Sequence, residues 1–184
     1  MLVLCILTEG EKEPQVSKGP IVSGMTATTI LWDIDGPLNP HLATDLIERG
    51  FVRVDEGSAT WHLDLNHHAE WLRHLESMNT QMMWCSSWLD ESNALVKHYG
   101  LKNELPFVEL YDSAEQESTM WKLPAVKKAF PGKIPLIWVD DEFEESAYEW
   151  AAARGNTMLV ACDPAVGWTF EQYQLMEQFI RTNF

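Results

Sequence analysis

Cysteine, basic residues and long apolar runs are all scarce in this chain of 184 residues. Three cysteines, Cys5, Cys85 and Cys162, stand far apart and form no Cys-x-x-Cys pair, which excludes a disulfide framework and a cysteine zinc site. A reducing compartment, the cytoplasm, is the expectation. No stretch approaches the ~18 continuous apolar residues of a membrane span, and Met1–Leu7 is too short and lacks the basic start of a signal peptide. Only 13 Lys and Arg face 28 Asp and Glu, a formal charge of −15, so non-specific nucleic-acid binding is disfavoured and no membrane partner is expected. An anionic substrate stays compatible with that charge, because carboxylates gathered at one point can hold a divalent cation that reverses the local sign.

What the chain does have is the makings of one folded domain. It is 46% hydrophobic and 22% charged, a globular balance, and its length fits a single core. Residues 1–24 carry charges and Gly-Pro and Ser-Gly breaks with no sustained period, and read as a flexible tail, with the domain over 25–184 and Met25 as an alternative start.

From Thr28 the pattern alternates between strands and helices. Thr28–Trp32 is an apolar run entering Asp33-Ile34-Asp35-Gly36-Pro37. Phe51–Val54 and Thr60–Leu65 alternate around Asp55–Ser58, a hairpin pattern, and one short helix is expected with it between Gly36 and Asn66. Asn66 is positioned to cap a helix to Met78, Gln81–Cys85 is a strand, and Ser87 or Asp90 begins a helix ending near Gly100. A strand over Phe107–Tyr111, a helix over Thr119–Phe130, a strand over Ile134–Val139, a helix over Glu142–Arg154, a strand over Thr157–Cys162 and a helix over Thr169–Arg181 complete the reading. The expected architecture is α/β: three Rossmann-like layers, a mostly parallel sheet between helices, a small hairpin flap and no large cap.

Ligands of such sheets bind beyond the carboxyl ends of the strands. That rule selects Asp33 and Asp35, Ser86 and Ser87, Lys122 at a helix start, and Asp140 with Asp141. Each has an ordinary reading too: Asp-x-Asp as a solvated turn, Asp140-Asp141 as a helix cap, Lys122 as a surface charge like Lys127 and Lys128. The nine tryptophans read mainly as core filling, and His67, His68 and His74 as surface residues. Cys85 reads as packing.

At these residues the chain resembles the haloacid dehalogenase (HAD) superfamily of phosphohydrolases. Leu31-Trp32-Asp33-Ile34-Asp35-Gly36 is similar to its first motif, Met82–Ser86 to its second, Lys122 to its third, and Ile137-Trp138-Val139-Asp140-Asp141 to its fourth, in the family's order. Asp-x-Asp-Gly-Pro-Leu-Asn-Pro, Trp84-Cys85-Ser86-Ser87-Trp88 with Asn93, and Trp121–Val126 further resemble a compact subgroup related to the HAD domain of Swiss Army Knife RNA-repair proteins. The likeness spans about Thr28 to Thr169 and departs at Pro37, where many relatives carry threonine or valine.

The resemblance implies that Asp33 is a nucleophile forming an aspartyl-phosphate and Asp35 the acid and base for leaving group and water. It further implies that Ser86 bonds a phosphoryl oxygen and Lys122 neutralises charge. Mg²⁺ would be held by Asp33, Asp140, Asp141 and the backbone carbonyl of Asp35. A dehalogenase would lack Asp35, because halide leaves without a proton. Gly36, Ser87, Trp88 and Trp121 adjoin the motifs as candidate substrate contacts, the two indoles as stacking surfaces for a base. The expected substrate is a phosphorylated small molecule, a nucleotide or a nucleic-acid end, reached through an open site. The alternative is a catalytically silent HAD-fold module that binds phosphate or a partner. No oligomeric state follows from the sequence.

Overall fold

A computed structural model describes residues 27–110 and 120–183. The tail expected over 1–24, the Met25 start, and the ends of two expected elements at Tyr111 and Thr119 lie outside the described residues.

Four parallel strands form the central sheet: β1 (Thr28–Trp32), β4 (Thr80–Trp84), β5 (Leu136–Asp140) and β6 (Thr157–Ala161), in the order β4-β1-β5-β6. Between β1 and β4 the chain makes an antiparallel hairpin, β2 (Val52–Glu56) and β3 (Ala59–Leu63), and the helix α1 (His67–Ser77). After β4 come a 3₁₀ turn over Leu89–Asn93, α2 (Ala94–Tyr99) and α3 (Leu123–Ala129). The helix α4 (Glu145–Arg154) joins β5 to β6, and α5 (Phe170–Thr182) closes the described chain.

The sheet is apolar on both faces because both are covered. Ile30, Trp32 and Ile34 of the β1 segment, with Met82, Trp84, Ile137 and Val139, join a cluster that includes α1, α2, α5 and the hairpin. Their neighbours in the alternation, Leu31, Cys85, Leu136 and Trp138, join a second cluster with α3 and α4. Period-two alternation thus divides one continuous apolar run between two cores. No described helix is long and apolar enough to cross a membrane.

Several elements differ from their sequence patterns. Phe107–Leu110 is not a strand: it makes one bridge, Trp84 to Phe107, with Trp84 N–H donating to the Pro106 carbonyl at 2.8 Å and Val108 N–H to the Trp84 carbonyl at 2.8 Å. The pairing stops because β4 itself ends at Trp84 and the chain turns at Ser86. The short helix expected before the hairpin is replaced by successive turns over 41–50. The helix expected from Ser87 or Asp90 is a 3₁₀ turn before it becomes α2, which Gly100 ends at φ +69°. Asn66 precedes α1, but the cap is the Asp64 carboxylate, which accepts from the N–H groups of Asn66 and His67, each at 2.9 Å. α5 follows its pattern, with Thr169 and Gln172 forming a capping box.

His68 is a correction. It is 3% exposed, not a surface residue: its Nε2 pairs with the Trp168 carbonyl at 2.7 Å, and its ring packs among Phe51, Trp71 and Trp168.

Candidate functional site

Register builds the site. Trp32 lies level with Val139 of β5 and with Trp84 of β4, so the next residues, Asp33, Asp140 and Cys85, emerge side by side at the carboxyl edge. Asp33 N–H donates to the Val139 carbonyl at 3.0 Å and Cys85 N–H to the Trp32 carbonyl at 2.7 Å, which carries the ladder one residue past the strands. The chain leaves β1 to β4 on one side and returns to β5 on the other. That reversal opens the crevice between β1 and β5 where such sheets place ligands.

Into this crevice α3 delivers Lys122, the residue immediately before its first turn, with Pro124 in that turn where a missing N–H costs nothing. Lys122 Nζ lies 2.7 Å from an Asp33 oxygen and 2.8 Å from Asp140 Oδ2. Lys127 and Lys128 are exposed while Lys122 is 4% exposed, so the ordinary reading as a surface charge fails for Lys122 alone. Asp140 is fully buried, and its Oδ2 also accepts from Trp138 Nε1 at 3.1 Å. Its Oδ1 accepts from Glu142 N–H at 3.1 Å, a turn contact, whereas α4 begins only at Glu145, so Asp140 and Asp141 are not its cap.

Asp33, Asp140 and Asp141 each offer an oxygen, all within 4.8 Å of one another. Ionised together, the three carboxylates would exceed the Lys122 ammonium by two charges, with Asp33 and Asp140 buried and Asp141 half-buried, and burial penalises charge. Burial, opposed by the Lys122 ammonium and reinforced by Asp140, pushes the Asp33 carboxyl up to about 7. Burial and Asp140 push Asp141 up to about 6. For Lys122, burial works against the charge, but Asp33 and Asp140 outweigh it and hold the ammonium above its ordinary value. An oxygen-only set of carboxylates is the donor chemistry that suits a hard divalent cation such as Mg²⁺.

Gly36 explains how Asp141 reaches the group. Its φ is +93°, and a Cβ there would stand 2.3 Å from Asp141 Cγ, so only glycine leaves room for that carboxylate. Its position makes Gly36 a shaping residue of the acidic group.

Ser86 supplies an unusual hydroxyl. It is 1% exposed and its Oγ has no hydrogen-bond partner, although a buried polar atom is normally paired. It stands one residue past Cys85, whose thiol burial pushes far up, consistent with the packing role read from sequence. Ser87 is exposed. Trp121 is half-buried, its ring centre 5.8 Å from Lys122 Nζ.

Asp35 stands apart from the carboxylate group. Its Oδ1 accepts from Asn39 Nδ2 at 2.7 Å and its Oδ2 from Trp88 Nε1 at 2.8 Å. Asn39 is the residue that sequence reasoning passed over. Its signal was the tight Gly36–Asn39 loop, closed by Gly36 N–H on the Asn39 carbonyl at 2.9 Å and Asn39 N–H on the Ile34 carbonyl at 2.8 Å.

No protein-family model matches this sequence and no curated protein matches it either.

Proposed function

We propose that the chain is a Mg²⁺-dependent phosphomonoesterase of the HAD type, working through an aspartyl-phosphate on Asp33. The observation that carries this reading is the buried triple of Asp33, Lys122 and Asp140 with an unpaired Ser86 hydroxyl at the same sheet edge. A purely structural ion pair would gain nothing from a third and fourth polar group left unbalanced in the interior.

The chemistry assigns each side chain a task. An Asp33 oxygen attacks phosphorus as the bond to the leaving oxygen breaks, and that oxygen takes a proton from the Asp35 carboxyl, giving the alcohol. Water then attacks phosphorus and passes a proton to Asp35, the bond between phosphorus and Asp33 breaks, and inorganic phosphate leaves. Lys122 offsets charge on the nucleophile and on the phosphoryl oxygens, and Ser86 Oγ–H donates to one of those oxygens. Asp33, Asp140 and Asp141, with the Asp35 carbonyl that the family resemblance adds, would hold Mg²⁺. When bound, the cation neutralises the phosphoryl group and the crowded carboxylates. The substrate class that fits is a phosphate monoester of a small molecule, a nucleotide or a nucleic-acid end.

Hydrolysis of p-nitrophenyl phosphate with Mg²⁺ tests the reading, followed by a panel of phosphorylated oligonucleotides, nucleotides and sugar phosphates. Turnover is expected to vanish in EDTA and in Asp33→Asn, and beryllium fluoride is expected to trap the wild type alone. Undiminished turnover in Asp33→Asn overturns the nucleophile, and phosphate binding without turnover of any ester favours the silent binding module instead.

A further inference from the structure

The two hydrogen bonds on Asp35 lead back to one strand. Asn39 Nδ2 holds Oδ1, and the orientation of the Asn39 amide is set in turn because its Oδ1 accepts from the backbone N–H of His62 at 2.9 Å. Trp88 Nε1 holds Oδ2, and the Trp88 ring is set edge-on against Trp61, with ring centres 5.2 Å apart and planes at 73°. Trp61 and His62 are consecutive residues of β3, so their backbone and side chain anchor both arms of the grip.

β3 is a firm anchor. Trp61 is 1% exposed, and with Val54, Ala59 and Leu63 it belongs to the larger core cluster, so the hairpin is built into the interior. A flap that opened freely would have to withdraw these side chains from the core.

We infer that the β2–β3 hairpin is the positioning element for Asp35, acting through Trp88 and Asn39, and that Trp88 serves the reaction as a positioning residue through its indole N–H. This rests on the phosphatase reading above and deepens it. The requirement is geometric: an acid transfers its proton to a leaving oxygen only from within hydrogen-bond reach, and a carboxylate fixed at both oxygens has one orientation to offer. A stacking role for Trp88 makes different demands, since stacking needs the ring face and not the N–H.

Trp88→Phe separates the two, because it keeps a ring against Trp61 and deletes the donor. The measurement is kcat/KM for two Mg²⁺-supported substrates, p-nitrophenyl phosphate, whose leaving group departs without a proton, and an alkyl phosphate, whose leaving group needs one. The expected result is a loss on the order of tenfold or more for the alkyl ester, with the nitrophenyl ester changing far less. An equal change for both esters, or none, overturns the inference, as does a loss confined to KM, which is the mark of stacking.

A second measurement is independent of turnover. The Trp88 indole N–H, identified by its disappearance in Trp88→Phe, is expected to shift in the ¹H–¹⁵N spectrum of the full chain when Asp35→Ala removes its acceptor; an unmoved signal overturns the contact. A wild type inert to both esters and to every ester of the panel ends the phosphatase reading, and with it the catalytic purpose of the grip. An active wild type with a leaving-group-independent Trp88→Phe ends only the inference.

Discussion

Lys122 decides the balance of the acidic site, because among the described residues it is the cation bonded to both Asp33 and Asp140. A pair in the interior is held less by its attraction than by the cost of stranding either member, and removing one partner typically costs ~3–5 kcal/mol. Lys122→Met keeps the length and apolar stem of the side chain while deleting the charge. Without divalent cation it is expected to lose stability of about that size in urea at neutral pH. Added Mg²⁺ is expected to raise its midpoint more than the wild type's, because in the variant no Lys122 ammonium shares the carboxylates with the cation. Equal midpoints for the two proteins without cation would show that the carboxylates are already neutralised by other means. Turnover should be lost in the variant under all conditions.

Among the elements, β1 and β5 were the most legible in the sequence, and the strand read over Phe107–Tyr111 the least so. Thr28–Trp32 and Ile134–Val139 read as strands running into acids, and parallel register alone brings those acids level. The alternation at Phe107–Leu110 was real, since burial there alternates, but alternation records which side chains point inward and not whether a neighbouring backbone continues beside them. The grip on Asp35 was not legible because Trp88 lies 53 residues away from it and no periodicity links them. His68 did leave a signal: with Leu72 and Leu75 it falls on one helical stripe, spaced four and three, and all three are buried. That burial has a consequence for pH. Desolvation, opposed by the hydrogen bond to Trp168, holds the imidazole below its ordinary 6.5. As pH falls beneath 6.5 the unfolded chain takes up a proton that folded His68 refuses, so stability is full above that value and declines toward the folded pKa, by at most ~1.4 kcal/mol per pH unit. The difference in urea midpoint between pH 7.5 and 5.5 is expected to be smaller in His68→Gln than in wild type, and an identical difference would show that the imidazole charges freely in the folded protein.

At the scale of the whole molecule, an acidic chain carries a site that, as a phosphatase, would receive an anion. The chain's formal charge is −15, yet the cation that faces Asp33, Lys122, is buried at the start of α3, where it acts at contact distance and adds little to the far field. Approach and capture are therefore governed by opposite signs. Fields between separated charges are screened over ~10 Å at 0.1 M salt, whereas a buried pair at contact is screened much less. For an oligonucleotide bearing a terminal phosphate, every internal phosphate meets the repulsive field and none gains from the site. Raising salt from about 20 to about 200 mM is thus expected to increase kcat/KM for a 5′-phosphorylated oligonucleotide on the order of threefold or more, while a small phosphate ester, with only its own charge to repel, changes less. Steady-state rates at several salt concentrations, with Mg²⁺ held saturating, read this directly. A rate that fell with salt for the longer substrate would require a local basic track strong enough to overrule the net charge, and would shift the substrate assignment toward nucleic-acid ends.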